Sequence, residues 1–172
     1  VCDSYNIPMV FLADVPGFMV GERVEHELML HWGMRMMHAL QNSSTPTLTV
    51  CIRKAFGLAW QAMNGSLMPA LGVYSWPGAE IGFMDPEVGV NVAFGSKLAR
   101  IEEPEERESE RLALVQEVGE STNPYEAAGT MRIDEIIDPG DTRSVLANDL
   151  EMLAHRNVPP PEARPLSYWP TC

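Results

Sequence analysis

An α/β domain on a parallel sheet is what the sequence predicts, and three observations carry that prediction. Two apolar runs, Ile7 to Ala13 and the β-branched Leu48 to Ile52, are bounded by turn residues and read as buried strands. Between them Glu22 to Gln41 has the pattern of one long helix, and two strands joined by a helical crossover pair in parallel. The alternation then continues. A helix is expected over Ala55 to Asn64, and two short strands at Val73-Tyr74-Ser75 and Ile81-Gly82-Phe83.

The remaining elements follow from local signals. Pro86 to Leu98 and the charged run Pro104 to Val118 both begin at a proline, which suits a first helical turn. Pro139-Gly140-Asp141 supplies a stop and an N-cap for a last helix, Asp141 to His155. After Val158 the chain reads Pro-Pro-Pro-Glu-Ala-Arg-Pro-Leu-Ser-Tyr-Trp-Pro, which cannot be helical and should lie extended, packing Tyr168 and Trp169 on a neighbour or fraying. The expected division is therefore a domain over 1–157 and a tail over 158–172. No internal repeat is visible.

At 172 residues, 45% of them apolar, the chain fits one domain with a real core. Its formal charge of −12 argues against nucleic acid or an anionic membrane as partner, because both attract Lys and Arg. The acidic run Glu102 to Glu108, with Arg107 and Arg111, reads as a solvated helix face. The longest uncharged stretch, Ala55 to Gly78, is broken by Gly57, Gly65, Pro69 and Gly72, so a membrane span is not expected. No signal peptide is legible. Cys2, Cys51 and Cys172 form an odd set without C-x-x-C spacing, which fits a reducing compartment and gives no zinc site.

Two junctions carry chemical potential. In the first, Met9 to Ala13 stops at Asp14 and breaks into Val15-Pro16-Gly17-Phe18. In the second, Thr47 to Ile52 ends in Arg53-Lys54 and a glycine-containing helix start at Gly57. The first turn of a helix leaves its N–H groups without internal acceptors, so each strand end offers donors to an oxyanion, and Arg53-Lys54 adds charge beside one of them. The same residues are equally compatible with a buried strand followed by a core helix.

These stretches resemble the DVPGF and RKA-[FY]-GG-A patterns of biotin-dependent acyl-CoA carboxylases, in the carboxyltransferase β subunit. The resemblance runs on through Trp76-Pro-Gly-Ala-Glu-Ile-Gly-Phe-Met84, Asn123-Pro-Tyr-Glu-Ala-Ala128 and Ile133-Asp-Glu-Ile-Ile-Asp-Pro-Gly-Asp-Thr142, in the family's order and over nearly the whole chain. It implies a crotonase-like spiral of β-β-α units. Such subunits hold two similar domains, and this chain, which opens at Val1, reads as the later part of the second; the first, which holds the acyl-CoA in the family, is expected elsewhere.

The resemblance also implies a reaction in which a carboxyl group passes from biotin, carried covalently on a partner domain, to the α-carbon of an acyl-CoA, without a side-chain base or a metal. Backbone oxyanion holes would hold the biotin ureido oxygen and the thioester enolate oxygen. By this resemblance the ureido oxygen falls to the backbone at Gly57, Leu58 and Ala59, with Gly17, Phe18, Phe56, Gln61, Met84 and Asp85 around biotin or substrate. Expected partners are a biotin carboxylase and biotin carrier subunit, the absent carboxyltransferase domain and further copies in an oligomer. The expected compartment is the cytoplasm, or the mitochondrial matrix in a eukaryote.

The chain departs from the family's pattern near the site. Leu58 replaces the second glycine of Gly-Gly-Ala, Glu27-Leu28 replaces a Gly-Gly, Trp32-Gly33-Met34-Arg35 replaces His-Gly-Ala-Lys, and Met84-Asp85 replaces Met-Gly. A reshaped channel or a decayed site both account for this. Gln61, where the family often has Asp, either tunes the substrate chain or is a solvated helix residue. The rival functions are a decarboxylase α subunit running the transfer in reverse and a catalytically silent scaffold.

Other residues are expected to be structural. His26, His31 and His38 lack the i, i+4 spacing of a helical metal pair. Cys51 lies inside an apolar strand and reads as a packed thiol, Asp14 as a cap for the Gly17 and Phe18 amides. Met29, Met34, Met36 and Met37 suit adaptable packing against a second chain.

Overall fold

The structure, a computed structural model, describes residues 1–154. The expected tail over 158–172 lies outside them. A short helix α1 (Cys2–Tyr5) leads into β1 (Met9–Val15), and α2 (Glu22–His26) and α3 (Met29–Gln41) cross over to β2 (Thr47–Phe56). Helix α4 (Gly57–Ala62), β3 (Gly72–Ser75), β4 (Glu80–Gly82) and α5 (Pro86–Leu98) follow, then α6 (Pro104–Glu120), α7 (Pro124–Gly129), β5 (Glu135–Ile136), a 3-10 turn (Pro139–Asp141) and α8 (Thr142–Ala154).

All four ladders are parallel, in the order β1-β2-β3-β5, with β4 also on β2. The long central strand makes this possible. Leu48 to Cys51 pair with β3, and Lys54 to Phe56 pair with β4. The predicted end of this strand at Ile52 is thus corrected: it runs on to Phe56, and the helix starts at Gly57 rather than Ala55. Arg53 and Lys54 do not stop the strand because they sit in an irregularity, where β1 advances from Ala13 to Val15 while β2 advances from Cys51 to Ala55. Their charges are compensated there, and Ala55 and Phe56 beyond them are buried.

Alternate side chains of β2 feed two cores. Cys51 and Ala55 join Ala13, Trp60, Ile81, Ala127 and Ile133 on one side. Leu48 and Val50 join Tyr74 and Ile137 on the other, where α8 lays Val145, Leu146, Leu150 and Leu153 against them. A strand covered on both faces reads as a continuous apolar run, which is why Leu48 to Ile52 was legible. Two polar ties hold α8 in register: Trp76 Nε1 donates to Thr142 Oγ1 at 2.9 Å, and the Tyr74 hydroxyl donates to the Asp149 carboxylate.

Three elements differ from expectation. The helix predicted over Glu22 to Gln41 breaks at Leu28, whose left-handed backbone (φ 59°, ψ 39°) separates α2 from α3. Phe83 lies outside β4 and is almost fully exposed, so the strand shifts to Glu80–Gly82. Helix α7 was not foreseen, although Asn123-Pro124 is an N-cap signal; Asn123 Oδ1 accepts the Tyr125 amide at 2.8 Å. Among the described residues no helix is long and apolar enough to cross a membrane, and no three His, Cys, Asp or Glu side chains converge as a metal requires.

Tyr74→Phe removes the hydroxyl that Asp149 accepts. The expected cost is about 1.5–3 kcal/mol, the range for a hydrogen bond to a charged group, measured by urea unfolding of the intact protein; an unchanged midpoint would show that α8 docks through its apolar face alone.

Candidate functional site

The two junctions singled out in the sequence converge with a third, between β4 and α5. Gly17 and Phe18 come from the loop after β1, Phe56 to Leu58 from the turn between β2 and α4, and Phe83 to Asp85 from the loop after β4. Together they line a cleft of about 310 Å³. A neighbouring cleft of about 350 Å³ is lined by Gly57, Leu58, Trp60, Gln61, Leu67, Phe83 and Arg132. Gly57, Leu58 and Phe83 border both, so the start of α4 forms part of the wall between them.

Gly57 is required at this wall for two reasons. Its φ of +59° is left-handed, and a Cβ there would stand 2.9 Å from the Phe83 carbonyl oxygen. The turn lets Gly57, Leu58 and Ala59 open α4, and because a helical N–H bonds a carbonyl four residues before it, their N–H groups have no partner within the helix. No side chain caps this end. Leu58 has no positive φ, so leucine is accommodated without backbone strain, and its half-exposed side chain faces the clefts. Ala59 is buried and lines neither cleft.

The other expected site residues divide by environment. Phe18 lies over Gly33 of α3, where a Cβ would meet the ring tip at 2.7 Å; Gly33 therefore makes room for this wall of the smaller cleft. Met84 lines the same cleft. Gln61 lines the larger one, with its Oε1 accepting the Leu67 amide at 2.9 Å, so it closes the loop after α4 rather than extending into solvent. Asp85 caps α5 by accepting the Glu87 amide at 3.1 Å and pairs with Lys54 Nζ at 2.7 Å.

The local charges are consequently paired. Burial works against the Asp85 charge, but the Lys54 ammonium and the Glu87 and Val88 amides outweigh it and hold the carboxyl below its ordinary value. Lys54 is raised, chiefly by its hydrogen bond to Asp85. Asp14 corrects another expectation. Instead of capping Gly17 and Phe18, its carboxylate reaches across the strand pair to accept the Lys54 amide at 3.2 Å and lies 3.5 Å from Arg53 Nε. Cys51 is fully buried, and burial pushes its thiol up to about 12, which keeps it protonated and inert.

Phe83, Trp60 and Arg132 line the larger cleft but were not singled out from the sequence. Their convergence is tertiary: Arg132 follows an unforeseen helix, and Phe83 reads as the inward end of a strand.

The chain matches the family described as "Carboxyl transferase domain" over residues 1–165. It is 37% identical over 163 residues to the propionyl-CoA carboxylase, carboxyltransferase subunit of Haloferax mediterranei, covering 95% of this chain and 31% of that protein. It is 34% identical over 155 residues to the methylmalonyl-CoA decarboxylase subunit alpha of Veillonella parvula, covering 90% and 28%. A crystal structure of the transcarboxylase 12S hexamer with methylmalonyl-coenzyme A and methylmalonic acid bound superposes with a TM-score of 0.79 at 37% identity, over 95% of this chain and 31% of that one. The parallel sheet with packed helices is the crotonase-like fold of these proteins. The chain belongs to the carboxyl transferase domain family, and it spans about three tenths of the length of the relatives it matches.

Two consequences can be measured. Gly57→Ala should cost about 1–2 kcal/mol from the left-handed backbone alone, and more from the Phe83 contact, seen as a lower melting temperature; a wild-type melting curve would contradict the observed turn. The Lys54–Asp85 pair should stabilise the protein fully between the ordinary values of 3.8 and 10.5. Its contribution falls as acid protonates Asp85 below that window and as base deprotonates Lys54 above it. Asp85→Asn should therefore flatten part of both limbs of a melting temperature against pH profile, and parallel profiles would refute the pairing.

Proposed function

We propose that this chain is the biotin-side part of the carboxyltransferase of a biotin-dependent acyl-CoA carboxylase. The observation that carries the reading is the left-handed turn at Gly57, which aims the start of α4 at the wall between two clefts in a member of the carboxyl transferase domain family. Biotin, brought on a carrier subunit, would supply the carboxyl group and then a basic ureido group to take the α-proton of the acyl thioester.

The residues present fit that group. Amides of the first turn at Gly57 and Leu58, which line the cleft and have no acceptors inside the helix, suit an oxygen that gathers negative charge, with the buried Ala59 behind them, and the apolar walls Phe18, Phe56 and Met84 suit a saturated ring. In a dry site each well-aimed amide contributes roughly 3 kcal/mol to the transition state. Gly17 leaves open space at the cleft mouth, since no atom lies within 4 Å of where its Cβ would be. Lys54 and Asp85 hold the β4–α5 loop against β2, which positions Met84, so Asp85 acts in this reading by fixing the wall rather than by proton transfer. Gln61 and the Leu58 side chain narrow the neighbouring cleft and tune what enters it.

The acyl-CoA, the enolate-binding donors and the first carboxyltransferase domain belong in this reading to the rest of the polypeptide or its partners. Further copies would assemble with a biotin carboxylase and carrier subunit, in the cytoplasm or the mitochondrial matrix. The likeness to a decarboxylase alpha subunit favours a second reading, the same transfer in reverse.

The test is carboxyl transfer by the full-length protein, reconstituted with its biotin-bearing partner, against acetyl-, propionyl-, methylcrotonyl- and longer acyl-CoAs, in both directions. Turnover of at least one thioester is expected, and Leu58→Gly should change kcat/KM by several-fold or more. No turnover with any thioester would turn the reading toward a silent scaffold, and a Leu58→Gly enzyme that turns over like the wild type would overturn the role given to the Leu58 side chain.

A further inference from the structure

The larger cleft contains a cation without a counter-charge. Its walls at Leu58, Leu67 and Phe83 are apolar, and Arg132, a partly buried residue, adds a guanidinium to them. Arg132 Nε donates to Thr130 Oγ1 at 3.1 Å. Among the described residues its remaining N–H groups meet no acceptor, and no carboxylate stands within ion-pair distance of it. This is notable in a chain with 24 acidic and 12 basic residues, in which both cations beside the smaller cleft have carboxylate partners.

The position of Arg132 is fixed by the backbone. Helix α7 ends in a paired cap: the Arg132 amide donates to the Ala127 carbonyl at 2.8 Å and the Met131 amide to the Ala128 carbonyl at 2.9 Å. Met131 takes the left-handed position of this cap (φ 57°) although it is not glycine, and its side chain is exposed. The next turn of chain is pinned to β3, where Asp134 N donates to the Val73 carbonyl and the Val73 amide to Asp134 Oδ2, each at 2.8 Å. The guanidinium therefore enters the cleft from a rigid support, with donors still available in a planar fork that matches carboxylate or phosphate oxygens.

We propose that Arg132 determines the specificity of this cleft by recognising a carboxylate or phosphate at the charged end of a ligand whose apolar part lies against Leu58, Leu67 and Phe83. This rests on the carboxyltransferase reading, in which the rest of the polypeptide holds most of the acyl-CoA, and adds that the thioester's anionic end, an acyl carboxylate or a CoA phosphate, reaches this cleft.

The test uses the full-length protein and calorimetric titration with succinyl-CoA, butyryl-CoA and their pantetheine counterparts, which lack the nucleotide phosphates. If the acyl carboxylate is the group recognised, the wild type binds both succinyl thioesters about tenfold or more tightly than the butyryl ones, the scale of one charge-assisted hydrogen bond. Arg132→Gln then removes the difference and Arg132→Lys keeps part of it. If a CoA phosphate is recognised, Arg132→Gln weakens both CoA thioesters about tenfold and leaves both pantetheine thioesters unchanged. Either pattern supports the proposal. Equal weakening of all four ligands, or of none, overturns it. Melting curves of both variants check folding, and if Arg132→Gln is unfolded the Arg132→Lys comparison decides, an unchanged ligand ranking overturning the proposal. Carboxyl transfer to butyryl-CoA that Arg132→Gln leaves intact, with no change in binding, overturns this inference while leaving the carboxyltransferase reading in place; a wild type that binds no thioester and transfers no carboxyl group overturns both.

Discussion

The left-handed turn at Gly57 is the constraint on which the site depends. The central strand must remain extended to Phe56 so that its second half can pair with β4, and the chain must then enter a helix at once. Here Gly57 makes that change of direction with a positive φ, and the Phe83 carbonyl leaves no room for a side chain where it happens. The pairing of Phe56 with Gly82 brings the Phe83 carbonyl there, so the sheet register and the turn determine each other. Moving the strand by one residue would take the amides of Gly57 and Leu58 out of the clefts and turn the buried faces of Ala55 and Phe56 outward.

Electrostatics serves this geometry more than it attracts ligands. Arg53 and Lys54 were read from the sequence as positive charge beside an oxyanion site. In the structure they lie in the irregular part of β2, and each is matched by a carboxylate from a neighbouring segment, Asp14 from β1 and Asp85 from the start of α5. The Lys54–Asp85 pair is largely enclosed, with side chains 27% and 13% exposed. Removing one partner there leaves a poorly solvated charge, so the pair fixes the loop that carries Met84. The more open Arg53–Asp14 contact, at 3.5 Å and in water, contributes little energy. A ligand oxygen at the start of α4 would depend on backbone dipoles, which a strongly acidic protein can aim without assembling free cations.

What was legible in the sequence follows from how local each signal is. The existence of β1 and β2, the glycine at 57 and the proline-initiated helices α5 and α6 are written in a few adjacent residues, whereas the strands run past their expected ends at Ala13 and Ile52 to Val15 and Phe56. The cleft around Gly17, Phe18, Phe56, Gly57, Leu58, Met84 and Asp85 was reachable because the motifs that point to it are contiguous stretches. The extension of β2 through Arg53-Lys54 was not, because the groups that compensate those charges lie about forty and thirty residues away. Leu28 and Met131 take left-handed backbone without the glycine or asparagine that announces it, so the break in the long helix and the cap that presents Arg132 have no sequence signature. Helix α7 did have one in Asn123-Pro124, and its shortness concealed it.

Leu58 marks the difference between a reshaped channel and a decayed site. Decay at this position would be expected to disturb the turn, since the family pattern has a second glycine there. The backbone instead has Gly57 left-handed and Leu58 outside the positive-φ region, so leucine joins the lining without straining the turn. A scaffold would need Gly57 as much as an enzyme would, because the turn serves the sheet; Gly57 therefore does not separate the two. The lining does. Leu58 lines both clefts, and one of them is also lined by Arg132, for which no carboxylate stands within ion-pair distance among the described residues. Arg132 keeps donors beyond its bond to Thr130, and on an apolar wall an anionic ligand would engage them. In the proposed reading that combination, an unstrained leucine and an arginine without a carboxylate partner among the described residues, speaks for a reshaped channel over a decayed site.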